Sequence, residues 1–323
     1  MDNELVKRLV AVLCALFLAG NCLAQDYPNK PVRFIVPYAP GGSSDILART
    51  LGQKLAESMG QPFVIDNRPG AGNMVGTEVL AKSPADGYSI ILSDMPHSIN
   101  PSINPRVPYD PVKDFSPVSV IGVSPMFLFV HPAFEAKNVK ELIALARAQP
   151  GKLAIASGGN GATTHLVAEL LQASAGIKLT HVPYKGAGPA IADVAAGQVP
   201  ITFTSMATAA SLVKAGRLRV LGVTSSKRLA AFPDVPTFEE SGLTGLTFEH
   251  WWGVMAPART PPAIIAKLHG EIVKALAAPD VRERFATLAV EPRTNSPEQF
   301  RALIESDLVR WAKVVRDAGI KLE

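Results

Sequence analysis

Short apolar segments alternate with amphipathic ones along most of the chain, and this alternation restricts the fold more than any other feature. Residues 33–36 (RFIV) are a largely apolar segment of strand length, and residues 45–59 place Leu47, Leu51 and Leu55 on one helical face. Strands that are separated by helices pair in parallel through right-handed crossovers. The pattern therefore predicts an α/β fold in which the sheets are mostly parallel.

The alternation occurs in two stretches and then gives way to a helical tail. The first stretch ends with a strand at about residues 88–92, and the second extends from a strand at 127–130 to one at 220–223. From Pro261 onward the sequence predicts helices, the last of them capped by Ser296. Two doubly wound lobes are expected, with ligands beyond the carboxyl ends of their strands.

The N-terminal residues have the pattern of a secretory signal peptide. Lys7 and Arg8 precede the apolar run 9–20, and small residues at 22 and 24 lead up to a cleavage position after Ala24. The run is shorter than the roughly 20 residues that a membrane-spanning helix needs. We therefore expect cleavage after Ala24 and export from the cytoplasm.

Both cysteines of the chain, Cys14 and Cys22, lie in this leader. Asn21 separates Cys22 from the preceding Leu-Ala-Gly, which argues against a lipoprotein signal. Since cleavage removes both thiols, we expect no disulfide, no thiolate metal site and no cysteine nucleophile in the mature chain.

The composition is that of a folded protein with a small positive charge. Hydrophobic residues make up 47% and charged residues 19% of the 323 residues, which is too apolar for a disordered chain. The formal net charge of +4 is not concentrated in any run of like charges, so no nucleic-acid partner is expected. An anionic small ligand agrees with this charge.

Three glycine-bearing loops lie between a predicted strand and a predicted helix. They are residues 38–45 (YAPGGSSD), 157–163 (SGGNGAT) and 184–188 (YKGAG). The free N–H groups and the dipole at a helix N-terminus favour an anion, and glycine lets the backbone approach it closely. Any one of these loops could be only a tight turn, but three at such junctions indicate an anion site.

Motifs that would indicate catalysis do not occur in the sequence. There is no G-x-S-x-G, no H-E-x-x-H and no G-x-x-x-x-G-K-[ST]. Residues 159–164 resemble the dinucleotide fingerprint but lack its third glycine, and the next strand ends in Tyr184 and Lys185 rather than in an acidic residue. We expect no cofactor, no metal and no catalytic residue, while an exported hydrolase or transferase stays open as an alternative.

Several side chains near the loops and the tail have two interpretations each. Asp45 could complement the helix dipole or meet a ligand, but the role of orienting its loop is favoured. His165, in the first turns of the helix after the second loop, could be structural or bind the ligand. Lys185 could pair with a carboxylate or be solvated. Trp251 and Trp252 are typical of a core, with the wall of a cleft as the alternative.

Longer segments of the chain carry a family resemblance. They are PVRFIVPYAPGGSSD (31–45), VIDNRPGAG (64–72), ADGY (85–88), YDPVKDFSPV (109–118), HVPYKG (181–186) and WGVMAP (252–257). In these segments the chain resembles the tripartite tricarboxylate transporter receptor family, also called the Bug-type solute-binding proteins, over essentially its whole mature length. The resemblance implies a two-lobed periplasmic-binding-protein fold of type II, with a ligand cleft between the lobes.

The same resemblance implies a function and a location. The protein would be periplasmic and would capture a small carboxylate, either a di- or tricarboxylate or an aromatic acid. It would pass this ligand to the membrane subunits of a tripartite tricarboxylate-type transporter, without catalysis and without a cofactor. A sensor that presents its ligand-loaded form to a signalling partner is the alternative.

The resemblance also implies how the chain is divided and where the ligand binds. Lobe I would comprise residues 25–124 and 247–323, and lobe II residues 125–246. Backbone amides and ordered water, rather than an arginine, would hold the carboxylate. The first lobe would supply Tyr38, Ala39, Pro40, Gly41, Gly42, Ser43 and Asp45, with Ser93 and His97 as a wall. The second lobe would supply Ser157, Gly158, Gly159, Thr163, His165, Tyr184, Lys185 and Gly186.

One departure from the family pattern concerns the ligand. After the strand at 201–203 the family often has an aspartate that faces the cleft, but this chain has Thr204 followed by Ser205. We count both as site residues. Because an ammonium group would lack its obvious carboxylate partner there, we expect a neutral-to-anionic ligand rather than an amino acid.

Overall fold

The structure of the protein is a computed structural model that describes residues 27–104 and 106–317. The predicted signal peptide, its cleavage after Ala24 and the question of Cys22 fall outside the described residues. Within the described ranges, no helix is long and apolar enough to cross a membrane.

Two β-sheets, each flanked by helices, make up the fold. The first is built from β1 (Val32–Val36), β2 (Phe63–Asn67), β3 (Ser89–Asp94), β4 (Phe115–Ser124), β10 (His250–Pro257) and β11 (Glu291–Pro292). The second is built from β5 (Phe127–Val130), β6 (Ala154–Ser157), β7 (Thr180–Pro183), β8 (Ile201–Thr204) and β9 (Arg219–Val223). The strand orders are β11-β4-β10-β3-β1-β2 and β7-β6-β8-β5-β9. We use lobe I and lobe II for the sequence-predicted segments that contain these sheets.

Helices connect and cover the strands of both sheets. Those of lobe I are α1 (Ser43–Met59), α2 (Met74–Ala81), α3 (Pro96–Ile103), α8 (Pro262–Ala277), α9 (Pro279–Thr287) and α10 (Pro297–Asp317). Those of lobe II are α4 (Val139–Ala148), α5 (Thr163–Ala175), α6 (Ala187–Ala195) and α7 (Met206–Lys214). The hydroxyl of Ser296 accepts from the amide of Gln299, as the predicted cap of α10 requires.

Most strands of each sheet run in one direction, as predicted, and the sheets are mixed because β10 and β11 oppose the other strands of the first sheet and β5 those of the second. β1 pairs in parallel with β2 and β3, and β6 with β7 and β8. β10, in contrast, is antiparallel to β3 and β4, and β5 is antiparallel to β8 and β9. β5 enters the second sheet directly from β4, and β10 returns to the first from β9 without an intervening helix. Neither strand therefore follows the helical crossover that imposes parallel pairing.

The apolar face of α1 fixes the start of that helix next to the first sheet. Leu47, Leu51 and Leu55 are fully buried and belong to one core cluster with Phe34 of β1 and Leu268 of α8. The predicted helical face is thereby confirmed. Burial of each such side chain stabilises the fold by about 1.5–3 kcal/mol. The N-terminus of α1 is consequently held at the carboxyl end of β1.

The two chain segments that cross between the sheets are joined by one buried side chain, that of Thr224. The Met126 amide donates to Thr224 Oγ1 (2.9 Å), and this hydroxyl donates to the Phe248 carbonyl (2.9 Å). The main chain of Thr224 also bonds to both segments, through the Met126 carbonyl and the Phe248 amide. Thr224 therefore ties the outgoing connection to the returning one.

Candidate ligand-binding site

A cavity of about 40 Å³ lies between the two lobes. This is room for a few water molecules at most. The residues of its wall come from both lobes: Tyr38, Gly42, Ser43, Ser44, Asp94, Met126, Gly158, Ala162, Thr163, Thr164, Ala187, Thr204, Ser205, His250 and Trp252. No lysine or arginine of the described residues is among them.

Four helices begin at this cavity, and none of them has a side-chain cap. The residues that precede α1, α5, α6 and α7 are Gly42, Ala162, Gly186 and Ser205, and no side chain bonds to the first turn from any of these positions. The first N–H groups of a helix have no partner within it, and its N-terminus carries a partial positive charge. Four such termini, one from lobe I and three from lobe II, make the cavity attractive to an anion.

Hydroxyl groups add further donors to the cavity wall. Ser205 Oγ is buried and has no hydrogen-bond partner among the described residues. Ser44 Oγ accepts from Trp252 Nε1 (3.2 Å), and Thr163 Oγ1 lies 3.0 Å from His250 Nδ1. The hydroxyl of Ser205 is therefore available to a guest.

One acidic side chain, Asp94 at the end of β3, also lines the cavity. Its Oδ1 accepts from the Tyr38 hydroxyl (3.1 Å) and from Asn73 Nδ2 (3.0 Å). Burial raises the pKa of the Asp94 carboxyl to about 7, against the lowering effect of these two bonds. Burial lowers the pKa of His250, whose Nε2 lies 3.6 Å from Asp94 Oδ2, to about 3. Asp94 and His250 thus do not form a hydrogen-bonded ion pair in the cavity wall.

The lobes touch directly at the rim of the cavity. The Ala39 amide donates to the Lys185 carbonyl (2.9 Å), and the Ser43 amide donates to Thr208 Oγ1 (2.9 Å). A Cβ at Gly188 would lie 2.8 Å from the Pro40 carbonyl oxygen, so only glycine permits this approach of α6 to the first loop. The lobes are therefore closed on each other around the cavity.

Comparison with known proteins identifies the family. Residues 47–320 match the sequence model described as "Tripartite tricarboxylate transporter family receptor". Protein BugT of Bordetella pertussis is 39% identical over 98% of this chain and 99% of BugT. The chain belongs to the tripartite tricarboxylate transporter receptor family. The resemblance expected from the sequence is thereby confirmed.

Solved structures of similar proteins agree with the two-lobed fold of this receptor. The periplasmic binding protein BugD is 32% identical and superposes with a TM-score of 0.89, over 92% of this chain and 100% of that one. Rpa4515 of R. palustris, solved with adipate, is 35% identical with a TM-score of 0.88, over 91% of this chain and 99% of that one. The predicted periplasmic-binding-protein architecture is confirmed.

The structure brings part of the predicted site of the receptor together at the cavity. The predicted residues in its wall are Tyr38, Gly42, Ser43, Gly158, Thr163, Thr204 and Ser205. Ala39, Pro40 and Gly41 instead line a groove on the outer side of the closed rim, beside α6 and α7. Lys185 is exposed and takes part through its carbonyl group, while Gly186 faces Ala39 across the rim.

Asp45 holds the first loop and does not line the cavity. Its Oδ2 accepts from the Gly41 amide (3.1 Å), and its carboxylate also accepts from Asn67 Nδ2 and from Arg49. The pKa of Asp45 is lowered by these bonds, which outweigh its desolvation. These contacts match the orienting interpretation of Asp45.

Ser93 and His97, which were predicted as a wall of the site, are not among the residues that line this cavity. His97 is 0% exposed, its Nε2 lies 2.8 Å from the Pro111 carbonyl, and its ring stacks on Tyr109. Ser93 is buried with an unpartnered hydroxyl. Side chains alternate between the faces of a strand, so Asp94 at the end of β3 points to the cavity and its neighbour Ser93 does not.

Four predicted residues of lobe II are not part of the cavity wall: Ser157, Gly159, His165 and Tyr184. Ser157 Oγ lies 2.5 Å from His181 Nε2, and the Tyr184 hydroxyl donates to Asp193 (2.6 Å). His165 lines a separate cleft on lobe II. The contacts of Ser157 and Tyr184 are with other side chains of lobe II and support its loops. Within the described residues, no group of three metal-binding side chains occurs.

Sequence reasoning missed several residues of the wall: Ser44, Asp94, Met126, Ala162, Thr164, Ala187, His250 and Trp252. Asp94 carried a usable signal, because it ends a strand at the edge where ligands bind in α/β sheets. Trp252 fits the cleft-wall alternative. The expectation against amino acids rested on Thr204 at the position where the family often has an aspartate, and Asp94 places a carboxyl group elsewhere in the wall.

Proposed function

We propose that this receptor captures a small carboxylate between its lobes and delivers it to the membrane subunits of a tripartite tricarboxylate-type transporter. The observation that carries the proposal is the meeting of four uncapped helix N-termini at one cavity whose described wall has no lysine or arginine. Backbone amides and hydroxyls in such a desolvated place favour an anion over a neutral molecule.

Closure of the lobes would be part of capture. A cavity of about 40 Å³ admits a small acid only after the lobes separate, which breaks the Ala39–Lys185 and Ser43–Thr208 hydrogen bonds. Thr224 joins the two crossing segments about which such a motion would occur. A ligand that contacts both lobes binds the closed form better and selects it.

Two further points complete the proposal. The adipate in the Rpa4515 structure supports a carboxylate as the ligand class, and the periplasmic assignment of BugD supports export to the periplasm. The cleavage after Ala24 is proposed from the sequence pattern alone. The proposed role needs no chemical step and no cofactor.

Native mass spectrometry of the receptor, purified without refolding, tests the proposal together with thermal-shift titration of small acids. We expect a co-purified or added carboxylate that raises the melting temperature and appears unchanged after incubation. A bound cation or sugar with no response to any acid, or turnover of the acid, would contradict the proposal. Capture of transporter membrane subunits by the loaded receptor, and not by the empty one, tests the delivery step.

A further inference from the structure

Asp94 places a strong hydrogen-bond acceptor in the wall of the cavity at which the four helices begin. It is 4% exposed, and its Oδ1 is fully engaged by the Tyr38 hydroxyl and the Asn73 amide. These two bonds fix the orientation of the carboxyl group. Its other oxygen, Oδ2, therefore has a defined position in the cavity wall.

Asp94 Oδ2 accepts no hydrogen bond from any described residue. His250 Nε2 lies 3.6 Å from Asp94 Oδ2, which is beyond the length of a hydrogen bond. His250 in turn is engaged at Nδ1 by Thr163, in the first turn of α5. The side chains of His250 and Thr163 thus lie between the unfilled acceptor, Asp94 Oδ2, and the N-terminus of α5, which attracts anions.

A guest that fills the cavity has to satisfy both kinds of group. Its carboxylate suits the four helix N-termini and the unpartnered Ser205 hydroxyl. A purely apolar remainder would leave Asp94 Oδ2 buried without a partner, and a second carboxylate beside it would add like charge, both of which are unfavourable. A hydroxyl or an ammonium group would complete the hydrogen bonding.

On the basis of the proposed function, we infer that the ligand carries a hydrogen-bond donor in addition to its carboxylate, and that Asp94 Oδ2 accepts from it. Asp94 then selects ligands that carry the donor, while the helix N-termini select ligands that carry the negatively charged carboxylate. Hydroxy acids and amino acids share the donor chemistry, and the experiment separates them.

Calorimetric titration with matched acids tests the inference. The three members of each triplet differ in one substituent, which is hydrogen, a hydroxyl or an amino group. The triplets are propionate, lactate and alanine; butyrate, 4-hydroxybutyrate and 4-aminobutyrate; succinate, malate and aspartate; glutarate, 2-hydroxyglutarate and glutamate. In the triplet that contains the tightest-binding acid, we expect a donor-bearing member to bind at least tenfold more tightly than the unsubstituted acid. Tighter binding of the amino member identifies an ammonium donor, and tighter binding of the hydroxy member a hydroxyl.

The variant Asp94→Asn keeps the shape of the side chain and removes its charge. We expect it to lose the preference for the donor, with a fall in affinity of tenfold or more for that member and little change for the unsubstituted acid. Asp307→Asn is the matched control, because Asp307 is a second buried aspartate, bonded to Trp251 Nε1 and outside this cavity. It should retain the wild-type preference.

The outcomes separate the two proposals. Equal affinities within every triplet, or a preference that survives in Asp94→Asn, would overturn the inference and leave the proposed function standing. If none of the acids binds and no carboxylate co-purifies with the receptor, the proposed function is overturned and the inference with it. If Asp94→Asn does not fold, Asp94→Glu, which moves the carboxylate by one methylene, is expected to lose the preference in its place.

Discussion

His165 and His181 stack face to face behind the glycine-rich loop 157–163, with ring centroids 4.0 Å apart and planes 6° from parallel. Each ring holds one part of the loop. His165 Nδ1 accepts from the Gly161 amide (3.2 Å), and His181 Nε2 lies 2.5 Å from Ser157 Oγ. The stacked pair therefore positions the loop that leads into α5 at the cavity.

This stack predicts a loss of stability at acidic pH. Burial, and then the neighbouring His181, lower the pKa of His165 from 6.5 to about 4. Above pH 6.5 His165 is neutral in both states, whereas between 6.5 and 4 only the unfolded chain takes up the proton, so stability falls as pH falls. We expect His165 to contribute a loss of up to about 3 kcal/mol between pH 7 and 4.

Urea unfolding of the wild type and of His165→Asn at pH 7, 5 and 4 measures this contribution. Asparagine can still accept from the Gly161 amide but does not titrate. His97 and His250 also have lowered pKa values and remain in both proteins, so the difference between the two profiles reports on His165 together with its coupling to His181. Parallel profiles would show that His165 does not carry the effect.

Removal of the Ser205 hydroxyl should affect binding and not folding. Ser205 Oγ is buried, lines the cavity and has no partner among the described residues. Ser205→Ala therefore breaks no bond in the empty protein, and a lost bond to ligand of about 0.5–1.5 kcal/mol corresponds to a two- to tenfold weaker affinity. Calorimetry with the tightest acid of the triplets measures it. Ser93→Ala removes an equally buried and unpartnered hydroxyl outside the cavity, and its affinity should stay unchanged.

Gly188 should be needed for closure and dispensable for folding. In Gly188→Ala the new methyl group would lie 2.8 Å from the Pro40 carbonyl oxygen when the lobes are closed. Alanine is favoured over glycine within a helix, so each lobe should fold as before. We expect at least tenfold weaker ligand binding with an unchanged or higher melting temperature of the empty protein.

The matched control for this variant is Gly270→Ala in α8. A methyl group there meets no atom within 4 Å, so affinity should not change. Small-angle scattering of Gly188→Ala should show a larger radius of gyration than that of the wild type. Wild-type affinity in Gly188→Ala would mean that the lobes do not have to approach this closely for capture.

The sequence predicts local structure well where a pattern is confined to one element. The spacing of Leu47, Leu51 and Leu55 is enough to identify the buried face of α1, because the opposite face is polar. β10 shows no such contrast. Its residues are buried on both faces, so no alternation distinguishes it from a core segment.

The residues of the candidate site also fall into those that a local pattern predicts and those that it does not. Ser43 and Thr163 could be predicted because a strand, a glycine loop and a helix in succession place a helix N-terminus at the sheet edge. Whether Asp94 or His97 faces the other lobe depends on how the two sheets meet across the cleft. That relationship involves residues more than a hundred positions apart, and no local pattern encodes it.

Thr224 should matter to stability through its hydroxyl alone. Thr224→Val keeps the shape of the side chain but leaves the buried Met126 amide and Phe248 carbonyl without this partner. An unsatisfied buried polar group costs about 1–3 kcal/mol, so we expect a loss of unfolding free energy of at least that size. Thr224→Ser keeps the hydroxyl and loses only a methyl group, and it should retain most of the stability. Urea unfolding of all three proteins decides the matter. Equal losses of unfolding free energy in the two variants would assign the effect to packing. A loss that occurs only in Thr224→Val identifies the hydroxyl as the link between the crossing segments.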